Sequence, residues 1–454
     1  RSRRAGATGG GGAGSRRVHS GSSPNWPLRG RMMKAPVKAQ MPRRRLDTAS
    51  LPYLTDVPHH RIGGSLKALP SHFVVTEVLA PRSDECTHDD RQAKHVYVTL
   101  TRERQSTREV AMLLADAFGV RVDEVGYAGL KDRRAVVTQT FSLPRDSLQP
   151  RELRSSAGKI AASCRAAGWR VECEPRWHRS RLRHGELTSN HFDIVASGIE
   201  AAPAVAVAAA ERVAVALREV GGFANYFGPQ RFGRRGAALA LERGRELLQR
   251  RLCRPAGRAA RRRHSGWLEE LELSGFQSAL FNEWLARRVE SGGARSLRRG
   301  DVLTRLPAGG RCWRADGEIG LAGGGGDGGG GGDGGDAAAA ARAAFAAGEI
   351  SFTGPMFGAG CARASFAEGE AEEELWRELG LAEAAVRGLA RAGLSGHRRV
   401  GVLPVPLDLT VAAAEEGVRF RFTLPRGAYA TSLLREFMGG DAGEGGPVEG
   451  EMEE

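Results

Sequence analysis

Residues 95–101 alternate apolar and polar positions, with Val96, Val98 and Leu100 on one face, the spacing of a half-buried strand. The period then changes. Ser106 and Glu109 stand three apart, as in a capping box. Val110, Leu113, Leu114, Ala117 and Phe118 recur at helical spacing, and Gly119 ends the predicted helix. Residues 135–143 return to strand character, with Ala135, Val137, Phe141 and Leu143 facing one way. Asp132 is thereby placed at the start of a strand, just after a glycine-containing turn. Further elements are a strand over 190–199, an Ala/Val helix over 203–219, and a buried helix around 275–290 on which Phe276, Leu280 and Trp284 run beside Phe281 and Leu285. Near the end, Val418, Phe420, Phe422 and Leu424 alternate with Arg419, Arg421 and Thr423, before a turn at 425–427 and a short helix over 431–438. The whole reads as a mixed α and β chain without an internal repeat.

The flanks differ from this pattern. Residues 1–46 carry twelve bases and no acid, show no apolar periodicity, and are expected to be disordered. They fit an organelle transit peptide, which would place the protein in a mitochondrion or plastid, or a nonspecific basic tail, which would leave cytoplasm or nucleus. Residues 439–454 form an acidic tail. Residues 323–336 are almost all Gly and Asp, with Ala following, and 323–348 is expected to be a flexible low-complexity loop.

With 454 residues the chain has room for two or three domains. The net charge of +14 is concentrated in the N-terminal segment, so the remainder has only a modest basic bias, compatible with a polyanionic partner. No uncharged apolar run is long enough to span a membrane. The six cysteines show no metal-binding spacing, which argues against a disulfide scaffold or structural zinc and for a reducing compartment.

Two basic clusters stand out in this arginine-rich chain. One, over 176–184, sets Arg176, Arg179, Arg181 and Arg183 around Trp177, an arrangement in which cations would neutralise phosphates and an exposed ring would stack on a base. The other, over 250–263, has seven arginines and no acid, ending in Arg261, Arg262 and Arg263. An arginine-rich solvated face would have the same composition. Gly129-Leu130-Lys131-Asp132 is not a P-loop, and taken alone it reads as a solvated ion-pair turn. A functional reading requires the neighbouring cations Lys131, Arg133 and Arg134 to keep Asp132 ionised, and the turn to present it to an electrophile.

Residues 126–139, Gly-Tyr-Ala-Gly-Leu-Lys-Asp-Arg-Arg-Ala-Val-Val-Thr-Gln, resemble the signature of the TruD family of pseudouridine synthases. Four further blocks follow in family order: 225–233 (Asn-Tyr-Phe-Gly-Pro-Gln-Arg-Phe-Gly), 276–282 (Phe-Gln-Ser-Ala-Leu-Phe-Asn), 352–358 (Phe-Thr-Gly-Pro-Met-Phe-Gly) and 424–436. The resemblance covers about 60–438. It implies an α+β fold: a catalytic domain with a mixed, mostly antiparallel sheet over 47–222 and 403–438, and an inserted α/β TRUD domain over 223–402. It also implies isomerisation of uridine to pseudouridine in tRNA, position 13 being the family-typical site, with no cofactor and no metal. Other tRNA sites, mRNA or rRNA stay open as substrates, as does a catalytically silent RNA-binding or RNA-folding factor.

By the same resemblance Asp132 is the nucleophile, and Lys67 lies at a family lysine position beside it. Phe73, Asn190, Phe192 and Tyr429 match positions that line the uridine site. As residues alone, Phe73 and Phe192 read equally as strand core, Asn190 as a turn residue and Tyr429 as packing at the start of a helix. Two departures are Ser71-His72 in place of an acidic pair and Ala224 in place of a proline. The two arginine clusters are expected to hold the RNA backbone.

Overall fold

The structure, a computed structural model, describes residues 48–440 and 443–444, apart from 88–89, 148–161, 163, 165, 234–235, 254–266, 308–309, 316–333, 381–387 and 391. The N-terminal segment, Arg261–Arg263 and the Gly/Asp run 323–333 lie outside the described residues.

In chain order the principal strands are β1 (Phe73–Leu79), β2 (His95–Glu103), β3 (Val136–Pro144), β4 (Arg176–His178) and β5 (Leu187–Ser197). Then come β6 (Val302–Arg305), β7 (Ile350–Met356), β8 (His397–Val400), β9 (Thr410–Ala414) and β10 (Gly417–Pro425). The helices that matter here are α1 (Thr107–Phe118), α2 (Pro203–Glu219), α3 (Gly236–Leu252), α4 (Trp267–Glu290), α5 (Gly334–Ala346), α6 (Phe366–Glu378) and α7 (Ala430–Met438).

The larger sheet has the order β9-β10-β5-β1-β3-β2-β4, with the two-residue strand Glu85–Cys86 at its edge. Only β1 and β3 pair in parallel along this path; the other pairs are antiparallel. The last strands of the chain therefore return to the sheet begun by the first. A second, antiparallel sheet holds Trp313–Arg314, β6, β7 and β8. The mixed, mostly antiparallel architecture agrees with the sequence expectation.

One face of the larger sheet carries two separate cores. Val96, Val98, Leu100, Phe141 and Leu143 pack under α1. Phe73, Val75, Val137, Phe192, Ile194 and Phe422 pack under α2 and α7. A third core wraps α4, where Phe276, Leu280, Phe281 and Leu285 are fully enclosed. Among the described residues no helix is long and apolar enough to cross a membrane.

The capping box forms as expected: Ser106 Oγ accepts from Glu109 N at 3.2 Å, and Glu109 Oε2 accepts from Ser106 N at 2.6 Å. Gly119 takes the left-handed C-terminal position at φ 63°. Three expectations are corrected. Leu113 and Ala117 are exposed, because the row Val110–Leu114–Phe118 with Ala111 and Ala115 forms the contact face and 113 and 117 turn away from it. Residues 334–346 are helical rather than loop, since a run of alanines has the highest helix propensity once anchored, here by Ala341 and Phe345 against the third core. Trp177 is only 7% exposed and packs in the core under α1, so it offers no ring to an RNA base.

Candidate active site

Between the two cores on the sheet face, the inward positions turn polar. Alternation continues from Leu100 to Arg102, from Val137 to Gln139, from Val75 to Glu77 and from Phe192 to Asn190. Glu77 lies opposite Asn190, and Asn190 opposite Leu424. Arg102 is 1% exposed and donates Nη2 to Thr107 Oγ1 and to Gln139 Oε1, both at 3.1 Å. Burial pushes its guanidinium down to about 10, against the pull of Glu77, Glu109 and Asp132. It remains charged at neutral pH, and so places a positive charge under the loop that follows.

That loop is 126–135, which carries Asp132 into β3. Gln139 Nε2 donates to Gly129 O at 2.7 Å, and Thr107 Oγ1 accepts from Lys131 N at 2.9 Å. Lys131 Nζ meets Glu77 Oε1 at 2.5 Å in a pair that is almost wholly buried. A side chain at Gly126 would collide with Ser142 Oγ and the Leu182 carbonyl, so only glycine lets the loop start this close to β3. Asp132 itself lies four residues before the strand begins, not at its first position; these bonds hold the loop together with the antiparallel pairing of Gly126 and Tyr127 to Ser142 and Phe141.

Lys67 comes from a separate segment. Its side chain is 4% exposed and its Nζ lies 3.1 Å from Asp132 Oδ2, while the Asp132 side chain is 41% exposed. One end of the pair is therefore buried and the other is open to a ligand. Lys67 sits at φ 57°, a conformation unfavourable for a residue with a side chain, and Arg134 Nη2 holds its carbonyl at 3.2 Å. The ammonium also lies 4.7 Å from the centre of the Phe73 ring.

Phe73 meets Phe192 edge-on at 6.2 Å, and Phe192 stacks on Phe422 at 5.4 Å. Both phenylalanines are buried in the core under α2 and α7. Asn190 is half-buried, and its Oδ1 is enclosed without a hydrogen-bond partner. Leaving a buried amide oxygen unpaired costs about 1–3 kcal/mol, which a ligand's N–H would recover.

Tyr429 belongs to a second group of side chains, packed against the third core. It precedes α7 and meets Phe227 at 5.7 Å. Arg399, from β8, lies 3.9 Å over Phe227 and 5.6 Å from Tyr429, and donates to Gly427 O at 2.8 Å and Asn225 Oδ1 at 2.8 Å. Burial pushes this guanidinium down to about 10 as well. The sequence blocks converge here: Asn282 brackets Phe227 by accepting from its N–H and donating to its C=O, each at 2.8 Å, and Arg231 Nε reaches Ser278 Oγ at 3.0 Å. Ser432 Oγ in turn donates to Tyr226 O at 2.6 Å. The turn at 425–427 links the two groups, since Arg426 donates to Gly185 O and Gly185 N donates to Ala128 O of the Asp132 loop.

The basic segment 176–183 is divided by the fold. Arg176 pairs with Glu85 and Arg179 with Asp90 at the sheet edge. Arg181 donates to Val125 O, and Arg183 is exposed beside the turn at 184–185 that abuts the Asp132 loop. Asp84 ties this segment down, accepting from Ser180 N at 3.1 Å and from Arg82 Nε at 2.8 Å. Arg82, and then Ser180 and His178, hold the Asp84 carboxyl well below the usual carboxylate range. Its stabilisation is therefore complete above the unfolded value and is lost as pH falls through the depressed folded one. Asp84→Asn is expected to cost about 1–3 kcal/mol at pH 7 and to flatten the acid limb of a Tm-versus-pH curve below about pH 4.

Sequence reasoning left out Glu77, Arg102 and Arg399 as parts of the site. Arg102 did carry a signal, a charge at the next inward position after Val96, Val98 and Leu100. Arg399 carried none, because its partners lie far away in sequence.

A crystal structure of a TruD protein from Methanosarcina mazei superposes with a TM-score of 0.61 at 21% identity, covering 88% of this chain and 99% of that one. The fold is thus that of a pseudouridine synthase D structure. The family model for tRNA pseudouridine synthase D (TruD) matches residues 50–255 and 335–437. A relative named tRNA pseudouridine synthase D from Anaeromyxobacter dehalogenans is 35% identical over 394 residues, 86% of this chain and 97% of its own length. One of the same name from Thermus thermophilus is 34% identical over 397 residues, 85% of this chain and 92% of its own. The chain belongs to the TruD family.

Proposed function

We propose that this protein isomerises uridine to pseudouridine in tRNA, with position 13 as the first site to examine, and that Asp132 is its nucleophile. The observation that carries this reading is the Lys67–Asp132 pair, a half-exposed carboxylate held by a buried ammonium on the loop of the family signature. In the proposed reaction an Asp132 oxygen attacks ribose C1′ and the C1′–N1 bond breaks, its electron pair leaving with the uracil. The uracil turns, C5 bonds to C1′ and displaces the carboxylate; C5 then gives up its proton and N1 gains one. Lys67 holds and orients the carboxylate through its 3.1 Å contact. The neighbouring positive charge of Arg102 acts in the same direction.

The target base leaves its stack to reach the site. Asn190 offers its unpartnered Oδ1 to the uracil edge, and Tyr429 supplies an aromatic face from the second group. Phe73 and Phe192 back the site as packed rings. We assign the catalytic part to 47–222 and 403–438 and the insertion to 223–402; the separate core around α4, built mostly from the latter residues, supports this division.

The reading is tested by mapping pseudouridine in unmodified tRNA after incubation with the protein. New pseudouridine at a single tRNA uridine is expected; tight binding of tRNA without any product would replace the enzyme by an RNA-binding factor. Asn190→Ala is expected to lower kcat/KM about 10- to 100-fold, in line with one lost hydrogen bond to a buried polar group, with Tm essentially unchanged. An unaltered kcat/KM would remove Asn190 from the base-binding set.

A further inference from the structure

We infer that the larger sheet carries a second RNA-backbone site, remote from Asp132, in an open cleft of about 680 Å³ at the far end of β2 and β3. This rests on the reading of the protein as an enzyme acting on tRNA. Arg91, Lys94, Arg145 and Arg181 line the cleft against Glu124 and Asp146.

The charges there are arranged differently from those nearby. Around the same sheet edge Arg82, Arg121, Arg176 and Arg179 are each paired with a carboxylate. Among the described residues none of the four cations in the cleft has an ion pair. Arg145 and Arg181 are instead anchored by carbonyls: Arg145 Nη1 donates to Asp90 O at 2.7 Å and Ala93 O at 3.2 Å, and Arg181 Nη2 to Val125 O at 2.9 Å. Carbonyl anchoring fixes a guanidinium without neutralising it. Arg91 and Lys94 are exposed, and their side chains make no hydrogen bond among the described residues. His95, at the floor, keeps a buried Nδ1 without a hydrogen-bond partner. Unneutralised cations around a polar cleft suit phosphate oxygens, which accept from several donors at once.

The position selects a long polyanion over a small one. His95 opens β2, and Arg104, just past its other end, accepts through its carbonyl from Arg133 Nε beside Asp132. At a strand rise of about 3.3 Å per residue the cleft lies roughly 30 Å from Asp132. A nucleotide in the active site cannot reach it, whereas a folded RNA with its target uridine at Asp132 can lay a distant stretch of backbone across it.

The test is the double variant Arg91→Glu/Lys94→Glu, in which two exposed, unpaired side chains are changed and Tm should hold. For full-length tRNA, Kd and KM are expected to rise about tenfold with kcat unchanged, and the slope of log K against log[salt] to become shallower by about two. For a minimal hairpin that carries the target uridine alone, wild type and variant are expected to bind alike. Equal affinity and equal salt slope on full-length tRNA would overturn the second site. An equal loss on the short hairpin would also overturn it, since the effect would then be general charge. Absence of turnover by the wild-type protein would instead count against the enzymatic reading, and the binding comparison would still decide the cleft.

Discussion

Asp132→Asn is expected to abolish pseudouridine formation, by at least ~10⁴-fold in kcat, the scale on which removing a nucleophile acts, while tRNA affinity stays within about threefold. Asparagine is the informative choice. It keeps an oxygen for Lys67 Nζ, which lies 3.1 Å from the carboxylate, so the buried ammonium retains an acceptor at this position. What it removes is the charge and the nucleophilic lone pair. The half-exposed setting of the side chain means that little packing depends on it, so the variant should melt with wild type. Single-turnover assays with mapped product, run beside filter binding, separate chemistry from affinity. Turnover above about one per cent of wild type would show that another group forms the bond to C1′.

Glu77→Ala is expected to be the most disruptive change near the site, destabilising by about 3–5 kcal/mol, because it strands a buried ammonium. Lys131 Nζ sits 2.5 Å from Glu77 Oε1, with almost no solvent at either end. The Asp132 loop hangs from Lys131, so its displacement should also lower kcat about 100-fold, the usual consequence of a misplacement near 1 Å. A companion variant keeps the prediction falsifiable. Glu77→Leu combined with Lys131→Met removes both charges and should recover most of the lost stability, as apolar replacements of buried pairs often do. If Glu77→Ala melts with wild type, or if the double variant is no better than the single, the pair is not the anchor described.

Sequence alone was sufficient for many of the elements and for the family, though not for the helix at 334–346. Alternation at 96–100 and 418–424, the Ser106–Glu109 capping box and the apolar rows of the helix at 276–285 are local patterns, and local geometry enforces them. The signature blocks marked Asp132 and its family in the same way, since each block is contiguous. Where the expectation failed, a longer-range effect decided. Trp177 lies inside because β4 pairs with β2 and turns the ring under α1, which composition cannot show. Leu113 and Ala117 lie outside because the contact face of α1 is set by where the sheet lies.

The site itself was only partly legible. Asp132 and Lys67 are 65 residues apart, and the chain brings them to 3.1 Å only through the strand order β5-β1-β3-β2. Glu77, Gln139, Arg102 and Asn190 become neighbours because two cores leave a polar gap on one sheet face, and a gap between cores is a property of packing rather than of any segment. Arg399 reaches Tyr429 across two sheets, and Arg91 gathers with Lys94, Arg145 and Arg181 at a sheet end. Sequence determines which side chains a strand or helix presents, through fixed periods of two and 3.6. Which of those side chains share a field, a hydrogen bond or a ligand is decided by tertiary contacts between distant segments, and the charges that define both the proposed active site and the remote cleft belong to that second kind.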